Sequence, residues 1–594
     1  MNKKWFKVFS TSFIASSLLG TIGFSAHAST DTQQTSLDTI PTLSTVPNEV
    51  MKISEQSPEI QIPKDIDVTS SKPMDIIVQF NEEPSKIQLA KTKKFNQKTS
   101  LNIQRADEKV EENHQDFKAL FVNKKSKSTS SVRINHEYKH AFNGVAITIP
   151  ANQIPNLIES GLVKAIAKDR EVHIDPSAQV EANASTQSRT ESETLPNIGV
   201  DKLHEEGVTG EGIKVGVLDT GIDYHHPDLK DVYKGGYDFV DNDDDPMETT
   251  YADWKASGKP EVSGNTYYTS HGTHVSGTIA GQNKNDLGVE GVAPNVDLYV
   301  YRVLGPYGSG TTNDILAAID KAVQDGMDVI NLSLASDTND PFDPLSIALN
   351  NATIAGTLPV IAAGNAGSDM YTLGTPGAAA LPLTVGASNF SITLPKVDGT
   401  IHSSSPFSPN LQLFAKNFTD DIHKLEGNSF PVVKAGRGMP SDFVGKDFKD
   451  KILVVNYGDY TPDLVLKSAK EAGAAAVFFT NGRNLYTDFY KGESNKFLPT
   501  FNLPNEDAAK LVDQIAKESI TFSFDTVGEM KTNGDELAFF SSRGPTLETF
   551  DIKPEITAPG VAVYSAAPSY ITNPDNLNDY QTAYQRMSGT SMAT

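Results

Sequence analysis

Three short stretches, far apart in the chain, carry side chains able to do acid–base and nucleophilic chemistry. Asp219-Thr-Gly-Ile-Asp223 follows directly on an apolar run, and in open parallel sheets reactive groups stand beyond the carboxyl ends of strands. Alone, the stretch equally suits an ordinary turn. His271-Gly-Thr-His-Val-Ser-Gly277 offers an imidazole at a helix start, whose ordinary pKa lies near neutrality, as a general base requires. Its two histidines, His271 and His274, lack the i, i+4 spacing and intervening Glu of a zinc-protease helix. The plain reading of His271 is a capping residue. Ser588-Gly-Thr-Ser-Met-Ala-Thr594 sets Ser591 among small residues at a second helix start. A hydroxyl becomes a nucleophile only when a base takes its proton. The plain reading of Ser591 is an N-cap.

Read together, the three give a carboxylate, an imidazole and a hydroxyl in the chain order Asp…His…Ser. That order differs from the α/β-hydrolases, where Ser comes first, and from chymotrypsin, where His comes first; it matches subtilisin. On D-T-G-I-D, H-G-T-H-V-S-G and G-T-S-M-A-T the chain resembles the subtilisin-like serine proteases, the subtilase or peptidase S8 family. Within that family it is similar to the large secreted proteases of bacilli that carry a protease-associated insert. The resemblance covers about residues 74–594.

The resemblance implies that Asp219 orients His271, that His271 takes the proton of Ser591, and that Ser591 forms an acyl-enzyme. It implies that Asn365, in Ala362-Ala-Gly-Asn365, donates its side-chain N–H to the developing oxyanion; a turn residue is the plain reading. Gly308, Ser309 and Gly310, and Ser333, Leu334 and Ala335, match the two edges that add an extended substrate as a strand. Many members have Gly where Ala335 stands, and its methyl group narrows the primary pocket. The implied product is a serine endopeptidase (EC 3.4.21) acting on proteins and peptides, made as a zymogen. The alternative from a different class is a non-catalytic, peptide-binding pseudoprotease.

These residues must be positioned by a scaffold. From Gly212 onward the chain alternates strands and helices: strands at 213–218, 296–303, 328–333 and 359–363, with a helix from Asp314 stopped by Gly326. This predicts an α/β fold, a parallel sheet flanked by helices. Residues 74–175 read as a separate α+β unit, with strands at 75–80, 144–149 and 163–167 and helices over 86–122 and 155–160. By resemblance it is the inhibitor-type propeptide, a partner in cis that assists folding and blocks the cleft until cut. Residues 390–532 change rhythm, with strands at 451–455 and 474–479 and helices at 463–472 and 506–517; by resemblance they are a protease-associated insert. The catalytic domain then comprises residues 195–389 and 533–594.

Lys3, Lys4 and Lys7, an apolar run from Phe9 to Phe24 and Ala26-His27-Ala28 form a secretory signal over residues 1–28. Residues 29–73, rich in Ser, Thr, Pro and Gln, read as a disordered leader, and residues 176–194 as a polar tether holding the maturation site. The expected location is extracellular, with cell-wall association open. No apolar run long enough to span a bilayer follows the signal.

The net charge of −24 repels phosphate backbones and argues against a nucleic-acid partner. The 594 residues include no cysteine, which removes disulfides, thiolate catalysis and Cys-ligated metals. Residues 74–175 hold 16 basic and 13 acidic side chains, residues 176–594 hold 29 and 55, so the small unit is mildly basic beside an acidic neighbour. No cofactor is required. Asp241-Asn-Asp-Asp-Asp245 is a candidate structural calcium loop without the EF-hand spacing, Gly or terminal Glu; a solvated acidic loop is the other reading. Ser591 stands three residues before Thr594. Four residues do not nucleate a helix on their own, so the sequence reads as a truncated record of a longer protease, with Ser591 on a frayed end and poor activity.

Overall fold

The computed structural model describes residues 62–91, 100–122, 132–174, 198–260, 266–391, 393–417, 420–456, 462–480, 490, 492–493, 497–531, 533–572 and 576–594. The signal (1–28), most of the leader and the tether (176–194) lie outside the described residues. The described part of the leader is packed rather than loose. Ile66 is buried, and the Ser70 and Lys72 carbonyls accept from Asn152 and Ala151 N–H at 2.8 and 3.1 Å.

The small unit is a four-stranded antiparallel sheet in the order β2-β3-β1-β4, built from β1 (Pro73–Phe80), β2 (Arg133–Tyr138), β3 (Gly144–Pro150) and β4 (Val163–Lys168). Helices α1 (Ser85–Lys91), α2 (Ser100–Phe117) and α3 (Ile154–Glu159) accompany it. Ile76, Ile77 and Val78 are all buried, which explains the unbroken apolar run: a strand covered on both faces shows no alternation. Phe80 meets Phe117 of α2 at 5.4 Å between ring centroids. Ile77 belongs instead to a core shared with the larger unit.

That larger unit holds seven parallel strands in the order β21-β12-β11-β10-β6-β8-β7. They are β6 (Lys214–Asp219), β7 (Tyr233–Asp238), β8 (Asp297–Arg302), β10 (Val329–Leu332), β11 (Leu358–Ala362), β12 (Leu383–Ser388) and β21 (Ile556–Pro559). Strand β6 lies inside, with β8 and β7 added on one side and the other four on the opposite side. The order therefore reverses between β6 and β10, and the crevice outside their carboxyl ends is where such sheets bind ligands. Helices α4 (Val200–Glu205), α5 (Tyr251–Ser257), α6 (His271–Ala280), α7 (Thr312–Asp325) and α8 (Pro344–Ala355) belong to this unit. Gly326, at φ 74°, ends α7 as its left-handed cap.

The two units share one apolar core. Tyr138, Phe142, Val172 and Ile174 cluster with Leu304, Ile315, Ile319 and Leu345. Polar contacts pin the same seam: the Asp320 carboxylate on α7 accepts the backbone N–H groups of Lys139, His140, Ala141 and Phe142 at 2.9, 2.7, 2.6 and 3.2 Å. Beside it, Tyr138 Oη donates to the Asn313 carbonyl at 3.1 Å.

Between β12 and β21 the chain leaves to build an eight-stranded sheet of its own, spanning residues 393–531. Its strands are β13 (Thr393–His402), β14 (Leu411–Lys416), β15 (Ser429–Lys434), β16 (Ile452–Asn456), β17 (Ala476–Thr480), β18 (Gly492–Glu493), β19 (Thr500–Asn502) and β20 (Ile520–Lys531), with helices α9 (Pro462–Glu471) and α10 (Asn505–Ile515). Pairing of β13 with β14 closes the inner strands on themselves around Phe478, Phe501, Phe522 and Phe524. The outgoing and returning chains pair at a neck: Asn389 N–H donates to the Glu536 carbonyl at 2.8 Å and Ala538 N–H to the Ala387 carbonyl at 2.9 Å.

Candidate active site

Asp219 is the last residue of β6 and is fully buried. Its Oδ1 accepts from Thr220 N–H at 2.7 Å and from His271 Nδ1 at 2.8 Å. A proton on Nδ1 leaves Nε2 with a lone pair, the tautomer of a base. His271 Nε2 is buried and meets no hydrogen-bond partner among the described residues.

The approach of β6 to α6 explains why a glycine follows His271. A Cβ on Gly272 would overlap the Gly221 carbonyl oxygen, and it would lie 3.1 Å from the Asp219 Cβ. The start of α6 is capped from elsewhere, since Ser270 at its N-cap offers no side-chain bond. Gly272 N–H goes to Thr220 Oγ1 at 2.8 Å and Thr273 N–H to Glu248 Oε1 at 2.9 Å. His274 turns away from the dyad: its Nε2 contacts the Val563 carbonyl at 3.1 Å. Burial, with the nearby His271 charge, pushes its pKa down to about 3.

Ser591 stands in α11 (Thr590–Ala593), a single turn packed against α6. The turn is held by tertiary bonds rather than by its own length. Thr590 N–H donates to Asn365 Oδ1 at 2.8 Å, and Thr590 Oγ1 accepts from Gly364 N–H at 3.1 Å. Met592 is buried in the same apolar cluster as Val275 of α6. Thus the segment expected to fray is pinned at three consecutive residues, all buried. Ser591 Oγ donates to the Ser333 carbonyl at 3.2 Å, and Ser333 Oγ donates to the Ser591 carbonyl at 2.9 Å. The hydroxyl is therefore beside the carboxyl end of β10, bonded to that strand end rather than to His271. Asn365 spends its side-chain oxygen on Thr590, which leaves its NH₂ group for another acceptor.

The expected cleft edges are occupied by the chain itself. Strand β5 (Glu171–His173) pairs antiparallel with β9 (Ser309–Thr311), matching His173 with Ser309 and Val172 with Gly310. Ile174 N–H donates to the Gly308 carbonyl at 2.9 Å, and His173 bridges Ala335. Leu334 joins the buried cluster that holds Val172 and Ile174. Of the six edge residues, Gly308, Ser309, Gly310 and Ala335 thus meet the tail of the small unit, Leu334 lines its apolar side, and Ser333 serves the Ser591 turn.

The acidic run is tied down at its two ends. Arg302 contacts Asp238, and Asp241 at 2.6 Å, while Tyr224 Oη donates to Asp245 Oδ1 at 2.7 Å. Among the described residues no three His, Asp or Glu side chains converge as metal ligands, and no helix is long and apolar enough to cross a membrane.

Glu248 is the residue that sequence reasoning did not single out. It lies in an irregular segment before α5, and its partners, Thr269 and Thr273, stand more than 20 residues further on. No spacing rule links an acid to a helix start 23 residues further on.

Residues 210–594 match the subtilase family, and residues 77–175 match the peptidase inhibitor I9 family. The chain is 36% identical over 560 residues to the minor extracellular protease Vpr of Bacillus subtilis (strain 168), covering 91% of this chain and 62% of that protein. It is 27% identical over 569 residues to the PII-type proteinase of Lacticaseibacillus paracasei, covering 88% of this chain and 28% of that protein. It is also 41% identical over 195 residues to subtilisin DY of Bacillus licheniformis, covering 32% of this chain. The chain therefore spans less than two thirds of the length of these relatives.

Proposed function

The chain belongs to the subtilase family, and from that premise we propose that it is an exported serine endopeptidase made as a zymogen. The observation that carries the reading is the Asp219–His271 pair at the carboxyl end of β6, with Ser591 and Asn365 gathered at the neighbouring end of β10. In the proposed cycle the Ser591 hydroxyl leaves the Ser333 carbonyl for His271 Nε2. Ser591 Oγ attacks the peptide carbonyl, its proton passing to Nε2. Asp219 stabilises the imidazolium, and the Asn365 amide with the Ser591 N–H holds the oxyanion. The imidazolium returns the proton to the leaving amine, and water then releases the acid from the acyl-enzyme. Side chains of the protein supply every proton transfer.

The I9-like unit is the inhibitor in cis. Its segment Glu171–Ile174 lies along the edges where an extended substrate would add. Cutting the tether at 176–194 would free the cleft. We assign the sheet at 393–531 as the protease-associated domain, a platform for substrate or partner near the cleft. Export rests on the signal pattern over 1–28 and on the name of the Bacillus relative, an extracellular protease.

One observation favours a second reading, a peptide-binding pseudoprotease: Ser591 Oγ is bonded to Ser333 and not to His271. Labelling with a fluorophosphonate decides between them. The matured protein is expected to take one label at Ser591, and Ser591→Ala and His271→Ala none. Matured protein that takes no label fits the second reading and rejects the first.

A further inference from the structure

Glu248 is 2% exposed, and its carboxylate sits on the first turn of the helix that carries His271. Oε1 accepts from Thr273 N–H and Thr273 Oγ1, both at 2.9 Å, and Oε2 accepts from Thr269 Oγ1 at 2.6 Å. Thr220 Oγ1 accepts Gly272 N–H at 2.8 Å, and Thr273 Oγ1 accepts Asp223 N–H at 2.9 Å. Through Thr273 Oγ1 one side chain thus couples the turn that begins with His271 to the loop after Asp219. A buried carboxylate is tolerated only where donors surround it, and an anion at a helix N-terminus also complements the free N–H groups and the dipole there. Here the donors are Thr269 and Thr273, on either side of His271.

We propose that Glu248 is a positioning residue for the catalytic histidine, a tertiary N-cap that fixes the imidazole between Asp219 and Ser591. It touches no reacting atom and acts through α6. The inference rests on the serine endopeptidase reading.

The test uses the full chain after maturation, with rates expressed per site labelled by fluorophosphonate at completion. Glu248→Ala leaves Thr273 N–H and two hydroxyls without their acceptor. It is expected to lower kcat by about 10²-fold, the effect of a displacement near 1 Å, with KM within about twofold. Glu248→Gln keeps an oxygen for Thr273 and is expected to bring kcat back to within about tenfold of the parent. Thr269→Val removes the Oε2 bond, together with the acceptor of Thr249 N–H, keeps both Oε1 bonds, and should lower kcat several-fold at constant KM. A second arm needs no activity: in the Ser591→Ala chain, the low-field proton resonance of His271 Nδ1–H should broaden or shift with Glu248→Ala and persist with Glu248→Gln. Unchanged kcat per labelled site in Glu248→Ala, or Gln no better than Ala, overturns the proposal. If Glu248→Ala does not fold, Glu248→Gln and Thr269→Val decide it. If the parent takes no label, the endopeptidase reading fails and the resonance arm alone decides the role of Glu248.

Discussion

Asp320 offers a sharp test of how the small unit is held. Its carboxylate accepts four consecutive backbone N–H groups, those of Lys139 to Phe142, and the side chain is buried. Asp320→Ala removes all four acceptor contacts at once. Water can reach Lys139 and His140, whose bonds are only partly buried, but not Ala141 or Phe142. Two orphaned buried donors at about 1–3 kcal/mol each give a loss of about 2–6 kcal/mol. At about 1.4 kcal/mol per decade, that weakens association of the cut small unit with the enzyme roughly 30-fold at the lower figure and about 10⁴-fold at the upper. The assay cuts the chain within 176–194, dilutes the complex and follows recovery of peptidase activity. The freed enzyme should turn over at the parent rate, because Asp320 lies on α7 and away from Ser591. A shift in dissociation below about threefold would refute the reasoning, as would a fall in the kcat of the freed enzyme.

Other expectations concern the site and its surroundings. Asn365→Ala should lower kcat by about 10²–10³-fold, the worth of an oxyanion donor in subtilisin itself, with little change in KM; steady-state kinetics checks it. Gly272→Ala drives a methyl into the Gly221 carbonyl and should abolish fluorophosphonate labelling even in the fraction that folds. Val172→Asp puts an unpaired carboxylate among Leu304, Ile315 and Leu334. It should weaken self-inhibition by about 10²-fold or more, measured as activity released after tether cleavage. His274 is held neutral in the fold, its pKa at about 3, whereas the unfolded imidazole titrates near about 6.5. Below that value the unfolded chain takes up a proton that the folded chain refuses, so stability falls as pH drops from about 6.5 toward 3, by about 1.4 kcal/mol per pH unit. Denaturant unfolding of His274→Gln at pH 6, 5 and 4 should show a slope shallower by about that amount; an unchanged slope would reject the assignment.

The parallel strands β6, β8, β10 and β11 were legible to within a residue or two because strands covered on both faces are continuous apolar runs. Strand β7, Tyr233-Lys-Gly-Gly-Tyr-Asp238, was not: its glycines weaken any strand signal. Gly236 is there because a Cβ would overlap the Val300 carbonyl. The long strands β13 and β20 of the insert were missed because Pro395, Gly399 and scattered polar residues break their alternation, and only pairing across more than a hundred residues makes them strands. Helix α8 left a cue that went unread, Asp343 as N-cap, Pro344 at the first position and Gly356 past the end. At the candidate site, local motifs single out Asp219, His271 and Ser591. What they could not announce is orientation. The Ser591 hydroxyl turns to Ser333 and the Asn365 oxygen to Thr590, choices set by neighbours hundreds of positions away.

The paired neck at residues 387–389 and 535–538 brings the two ends of the eight-stranded sheet together. Its two chain ends lie side by side in a short ladder, and its apolar cluster runs past the neck to Phe540, Val561 and Ala562 of the host. Replacing the 147-residue excursion with a bridge of about ten residues would change the closure entropy by only about 2.4 kcal/mol, and would do so in the host's favour. Strands β12 and β21 could keep their register through such a swap. An exchange that keeps the neck and covers Phe540, Val561 and Ala562 again would therefore leave the cleft-bearing sheet as it is.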